Sequence, residues 1–116
     1  MVGWTRLKSI TVADATTIVG DSQQGRLPLP VTGFLTGITA FLTAGTTGPV
    51  FVAFYFNKTG LGGVHLGSGW ARVDIGADPV FWNGRHALDI NMQVDVTIRN
   101  DTGAAVGVFV AATGEQ

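Results

Sequence analysis

Apolar and polar positions alternate most strictly over residues 88–99, Leu-Asp-Ile-Asn-Met-Gln-Val-Asp-Val-Thr-Ile-Arg. Leu88, Ile90, Met92, Val94, Val96 and Ile98 fall on one side of an extended chain, and Asp89, Asn91, Gln93, Asp95, Thr97 and Arg99 on the other. Only a backbone of period 2 separates these sets, so the stretch predicts a β-strand with one wet face. Residues 4–12 alternate more loosely and end on the β-branched run Ile10, Thr11 and Val12, which suits a first strand; residues 16–19 suit a short second one. Asp21, Gly25, Pro28 and Pro30 then mark a long loop.

No charged residue occurs between Leu27 and Asn57. Constant Gly and Thr and a turn at Ala44-Gly-Thr-Thr-Gly-Pro49 argue against a membrane span and for two strands, 34–43 and 50–56. In the first, Phe34, Thr36, Ile38, Ala40 and Leu42 share a face. The second is apolar on both faces, Val50, Val52, Phe54 and Phe56 against Phe51, Ala53 and Tyr55, so both faces are expected to be covered. Asn57-Lys-Thr-Gly60 and Asn100-Asp-Thr-Gly103 share the pattern Asn-x-Thr-Gly, a turn in which Asn caps and Gly supplies a positive φ. Aligning the turns sets Phe51, Ala53 and Tyr55 beside the inward Val94, Val96 and Ile98. Val52, Phe54 and Phe56 would then point outward and need another surface to cover them.

Residues 62–75 hold glycines, His65, Trp70 and Arg72 and predict a bulged strand. Asn83-Gly84, after Pro79-Val-Phe-Trp82, predicts a hairpin turn feeding the 88–99 strand. Ala104, Val106, Val108, Val110 and Ala112 form one face of a last strand, with Phe109 on the other. The count is about eight strands and no convincing helix, which predicts an all-β fold, a single antiparallel β-sandwich over residues 1–116.

Composition changes the picture in one respect. Charged residues make up 13% of the chain and the net charge is -1. A surface so poor in charge lacks the self-repulsion that keeps proteins apart, so the chain reads as a subunit of an assembly. The seven Lys and Arg residues are scattered, which argues against nucleic acid as a partner. There is no cysteine, hence no disulfide or thiolate zinc site, and charges near the N-terminus stand where an export signal needs an apolar core. The expectation is a protein made in a cytoplasm.

Candidate chemistry is sparse. Asp89 and Asp95 are six positions apart, about 20 Å along a strand, too far for a carboxylate pair working over roughly 5–10 Å. His65 and His86 are too few for a metal cage, and a Ser68, His65, Asp74 set has no nucleophile elbow behind it. No catalytic residue, metal or cofactor is expected; Asp74, Asp78, Asn100 and Asp101 at strand ends read better as turn caps than as calcium ligands. Trp4, Trp70 and Trp82 are expected in the core or at an interface. An alternative reading makes Trp70, Trp82, Asn83 and His86 a sugar-binding platform of a carbohydrate- or receptor-binding module of a phage tail or adhesin.

The segment 92–110, Met-Gln-Val-Asp-Val-Thr-Ile-Arg-Asn-Asp-Thr-Gly-Ala-Ala-Val-Gly-Val-Phe-Val, read as a closing hairpin in a small cysteine-free chain rich in Gly, Thr and Ala, resembles the small jelly-roll decoration, or cement, proteins of tailed-bacteriophage capsids. The strand order also resembles the trimeric jelly roll of the C1q and tumour-necrosis-factor type. This resemblance implies a jelly-roll-like homotrimer on the capsid exterior that ties neighbouring capsomers together, with the major capsid protein as partner. On this reading Val52, Phe54 and Phe56 are the subunit-interface candidates. Residues 1–8 become an N-terminal arm, with Trp4, Arg6 and Lys8 as capsid-contact candidates.

Overall fold

The computed structural model describes residues 2–18, 24–44, 50–58, 63–73, 80–90 and 92–116, with the side chains of 44, 57–58, 63–65 and 67–70 outside the description. Nine strands alternate between two sheets: β1 (Gly3–Val12), β2 (Thr16–Ile18), β3 (Arg26–Pro28), β4 (Phe34–Ala44), β5 (Val50–Lys58), β6 (Gly63–Val73), β7 (Val80–Ala87), β8 (Met92–Asn100) and β9 (Val106–Glu115). One sheet runs β1-β9-β4-β7; the other runs β2-β8-β5-β6, with β3 also paired to β8. The described pairings are antiparallel. The chain crosses the sandwich between β1 and β2, β3 and β4, β4 and β5, β6 and β7, β7 and β8, and β8 and β9, which is the wrapped connectivity of a jelly roll.

The core forms where the two inner faces meet. From the first sheet come Ile10, Val12, Leu35, Ile38, Ala40, Val106, Val108, Val110 and Ala112; from the second, Ile18, Leu27, Val50, Val52, Phe54, Leu66, Val73, Val94, Val96 and Ile98. Most are β-branched, and they alternate along each strand as a half-buried pleated surface requires.

One polar side chain belongs to this core. Asn100, the last residue of β8, has no exposed surface. Its Nδ2 donates to the carbonyls of Val12 (3.0 Å), Ala13 (3.2 Å) and Ala104 (2.8 Å). Its Oδ1 accepts from the Thr102 backbone N–H (3.0 Å) and hydroxyl (2.7 Å). Gly103 takes φ +94° and donates its N–H to Asp14 (2.8 Å). The Asn-x-Thr-Gly corner is therefore the capped, positive-φ turn expected, and it welds the end of β1 to the β8–β9 crossing. The matching motif at 57–60 lies largely outside the described residues.

Several expectations need correction. Val52 stands opposite Ile98, Phe54 opposite Val96 and Phe56 opposite Val94, so these β5 residues share the inward face of β8. Val52 and Phe54 are buried in the single chain, and Phe56 packs on the core. Val52 and Phe54 are core residues and not a subunit interface. Aligning the two turns slipped the register by one residue, and a slip of one turns every side chain to the other face.

The wet face of residues 88–99 is also narrower than expected. The strand begins at Met92, Leu88 packs on the core, and Asp89 caps the preceding turn by accepting the Ile90 N–H (2.7 Å). Gln93 and Asp95 are buried on the outer side, joined by a 2.7 Å hydrogen bond from the Gln93 amide. β8 is an interior strand, with Arg26 and Tyr55 opposite Asp95 on its two flanks, so its neighbours close over it. Of the polar set within β8, Arg99 is exposed and Thr97 half-buried, while Asp89 is exposed ahead of the strand.

Asn83-Gly84 is not a hairpin turn: both residues lie inside β7, which pairs with β4 on either side of a register shift between Asn83 and His86. Gly84 leaves room instead: a Cβ there would strike the Trp82 indole, which lies back along the strand. In β4 a bulge at Thr36 turns Leu35 into the core and Phe34 out of it. β8 and β9 lie in different sheets, so the closing segment is a crossing between them and not a hairpin. Residues 3–8 are paired with β9 one for one, so they belong to the sheet and do not form a free arm.

Candidate assembly surface

β1 presents Trp4, Arg6 and Lys8 to the sandwich interior side and Thr5, Leu7, Ser9 and Thr11 to the opposite, outer side. Ile10 and Val12, buried on the same parity as the first set, establish this. Lys8 confirms it by donating to the Arg26 carbonyl of β3 (2.8 Å). Trp4 packs against the core, and its indole N–H is buried without a partner. Gly114, opposite Trp4, makes room for the ring, since a Cβ there would land on the indole and on the Phe34 carbonyl. The three proposed capsid contacts are thus edge and core residues, not a protruding set.

The outer side of the β1-β9-β4-β7 sheet is built of cross-strand rows. Leu7, Ala111, Thr39 and Phe81 form one; Ser9, Phe109 and Phe41 form the next. Thr5, Thr113, Gly37 and Asn83 lie beyond the first, and Thr11 and Gly107 beyond the second. From the Thr5 row to the Thr11 row this face carries no charge. Leu7 is 60% exposed and Phe81 62%. Phe41 and Phe109 meet at 5.1 Å between ring centroids, and Phe41 is still 36% exposed.

Charge returns beyond the Thr5 row. There Arg85 lies over the Phe34 ring at 3.9 Å and stands 3.8 Å from Glu115. An exposed contact of that length contributes little to stability. What it does is close the apolar face with a polar margin.

The proposed sugar platform is arranged differently. Trp82 and His86 stack on each other (5.5 Å, 21°), and His86 stacks on Phe56 of the opposite sheet (4.9 Å, 26°). The imidazole is thus engaged by two aromatic rings of the protein itself. Asn83 points the other way, onto the outer face, and the Trp70 side chain lies outside the described residues. Asn83 therefore does not join the Trp82–His86 pair.

Among the described residues no group of three or more His, Cys, Asp or Glu side chains is placed to hold a metal. Of the strand-end set, Asn100 is used by its corner and Asp101 by Arg99 (2.6 Å), while Asp74 and Asp78 lie outside the described residues. The described residues include no helix long and apolar enough to cross a membrane.

The sequence reading missed Leu7, Thr39, Phe41, Phe81, Phe109 and Ala111. The signal was present in part: the charge-free run from Leu27 covers β4, and every charge of β1 has the inward parity. What was missing was the pairing that sets these residues side by side.

No protein-family model matches the chain, and no curated protein does. Among solved structures the chain is similar to the Yersinia pseudotuberculosis-derived mitogen, with a TM-score of 0.57 at 13% identity over 99% of this chain and 89% of that one. It also aligns with a protein of Bacillus endospore appendages, a family of disulfide-linked pili, with a TM-score of 0.47 at 15% identity over 97% and 87%. At such identities the first likeness speaks for the all-β sandwich alone, and the second is too loose to argue from.

Proposed function

We propose that the protein is a non-enzymatic structural subunit of a phage virion, a capsid decoration protein that works in association with copies of itself. The observation that carries this reading is the charge-free outer face of the β1-β9-β4-β7 sheet. Leu7 and Phe81 are exposed at its two edges and Phe41 on the centre, and exposed large apolar side chains gathered on one uncharged face mark a surface that is covered in use. A net charge of -1 offers no long-range repulsion against such association. A subunit of this kind holds a lattice through several weak footholds acting together. Those footholds tie neighbouring capsomers and resist pressure from within.

The test has two parts. Sedimentation equilibrium of the purified protein is expected to give a multiple of the 12.1 kDa chain mass, and incubation with undecorated phage capsids is expected to move it into the capsid fraction. A monomer at micromolar concentration that stays in the supernatant overturns the reading.

A further inference from the structure

We infer that the outer face of the β1-β9-β4-β7 sheet is a self-complementary contact that takes a second copy of the same face about a two-fold axis running across the strands. The inference deepens the structural-subunit reading and rests on it for the expectation that copies associate.

The relief of the face sets the geometry. In the Leu7–Ala111–Thr39–Phe81 row the two central strands carry small side chains and the two edge strands large ones. In the adjacent row the order reverses: Ser9 stands at the edge, and Phe109 and Phe41 form a ridge in the centre. A two-fold axis between these rows lays each copy's Phe109–Phe41 ridge on the Ala111–Thr39 floor of the other. Leu7 and Phe81 then flank the ridge on either side. An isologous contact requires this reciprocity, in which one residue meets a second and the second meets the first.

Size and charge agree. Four strands about 4.8 Å apart and seven residues at about 3.3 Å each make a face of roughly 450 Å² in projection. Side-chain relief enlarges its accessible area toward the ~800 Å² per partner of a standard specific interface. No charge between the Thr5 and Thr11 rows needs to be desolvated. Stacked strands of two twisted sheets pack in this aligned manner inside sandwiches. Edge-to-edge pairing of β1 about Leu7 is the poorer solution, because it sets Arg6 opposite Lys8 of the second copy, and like charges in register repel.

Sedimentation equilibrium with three variants tests the geometry, with circular dichroism and thermal melting as the check on folding. The parent protein is expected at twice the chain mass. Leu7→Asp and Phe41→Asp, both on the open face, are expected to weaken the dimer by at least about 100-fold, since each buries a carboxylate without a partner. Ala111→Trp is the sharper probe, because it adds apolar surface but fills the floor that receives the ridge; dissociation is expected to rise at least about tenfold. Tighter association of Ala111→Trp would mean undirected stickiness and overturn the inference. A trimer would overturn the two-fold contact, and if it bound capsids it would leave the structural reading standing. A dimer weakened by all three substitutions that ignores capsids would do the reverse.

Discussion

Replacing Asn100 by Ala tests whether the β8–β9 corner holds the two sheets in register. Its amide serves three carbonyls with two protons and accepts from two groups of Thr102, all within 3.2 Å. Alanine keeps the strand but leaves the Val12 and Ala104 carbonyls facing a small void. With each net hydrogen bond contributing about 0.5–1.5 kcal/mol, and the buried carbonyls left unsatisfied at the upper end of that range, the loss comes to about 3 kcal/mol. For a domain of this size that lowers the melting temperature by roughly 10–15 °C. Asn100→Asp keeps the shape and exchanges the donor for an anionic oxygen aimed at the same carbonyls, so at neutral pH it is expected to cost at least as much. Burial among carbonyls favours the protonated acid, which restores a donor. The Asp variant should therefore regain stability as pH falls through the carboxyl range, and Asn100→Ala should not. Thermal melts of both variants at neutral and acidic pH decide the matter. Melting within about 2 °C of the parent in both would show that the corner holds without the amide.

Other substitutions separate the core from the open face. Phe54→Ala removes a buried ring and is expected to cost about 3–5 kcal/mol in denaturant unfolding. Phe81→Ser, on the exposed side of an edge strand, should change the stability of the isolated chain by less than about 0.5 kcal/mol. Equal costs for the two would contradict the facing described for β5 and β7. Gly114→Ala drives a methyl group into the Trp4 indole and the Phe34 carbonyl, and a loss of about 2–3 kcal/mol is expected. An unchanged melting curve would show that β1 and β4 give way there freely. Arg85→Ala should cost less than about 1 kcal/mol, since its partners are an exposed carboxylate and one ring face.

Alternation along single strands was legible from the chain alone. The last strand shows this well, because Val106, Val108, Val110 and Ala112 face inward and Phe109 outward as their spacing demands. The corner at Asn100 was legible for a similar reason, since a capping amide three residues before a positive-φ glycine is a local device. Both depend on near neighbours in sequence. The facing of β5 was not legible, because a strand apolar on both sides carries no parity signal and takes its facing from the partner β8. Asn83-Gly84 misled for the opposite reason: its local preference for a turn was overridden by the pairing of β7 with β4 before and after it, and by an indole that needed the space at Gly84.

The amino-acid sequence by itself determined that this is an all-β chain with one core, little charge and strands that ought not to stand alone. Period-2 patterning and composition are properties of the chain, and they survive any arrangement of its strands. Tertiary structure decided which apolar residues that arrangement leaves outside. Leu7, Phe41, Phe81, Phe109 and Ala111 come from four strands scattered between residues 3 and 115, and only the order β1-β9-β4-β7 makes them neighbours. A surface is a property of pairing across the sheet, and pairing between distant strands is set by how the whole core closes.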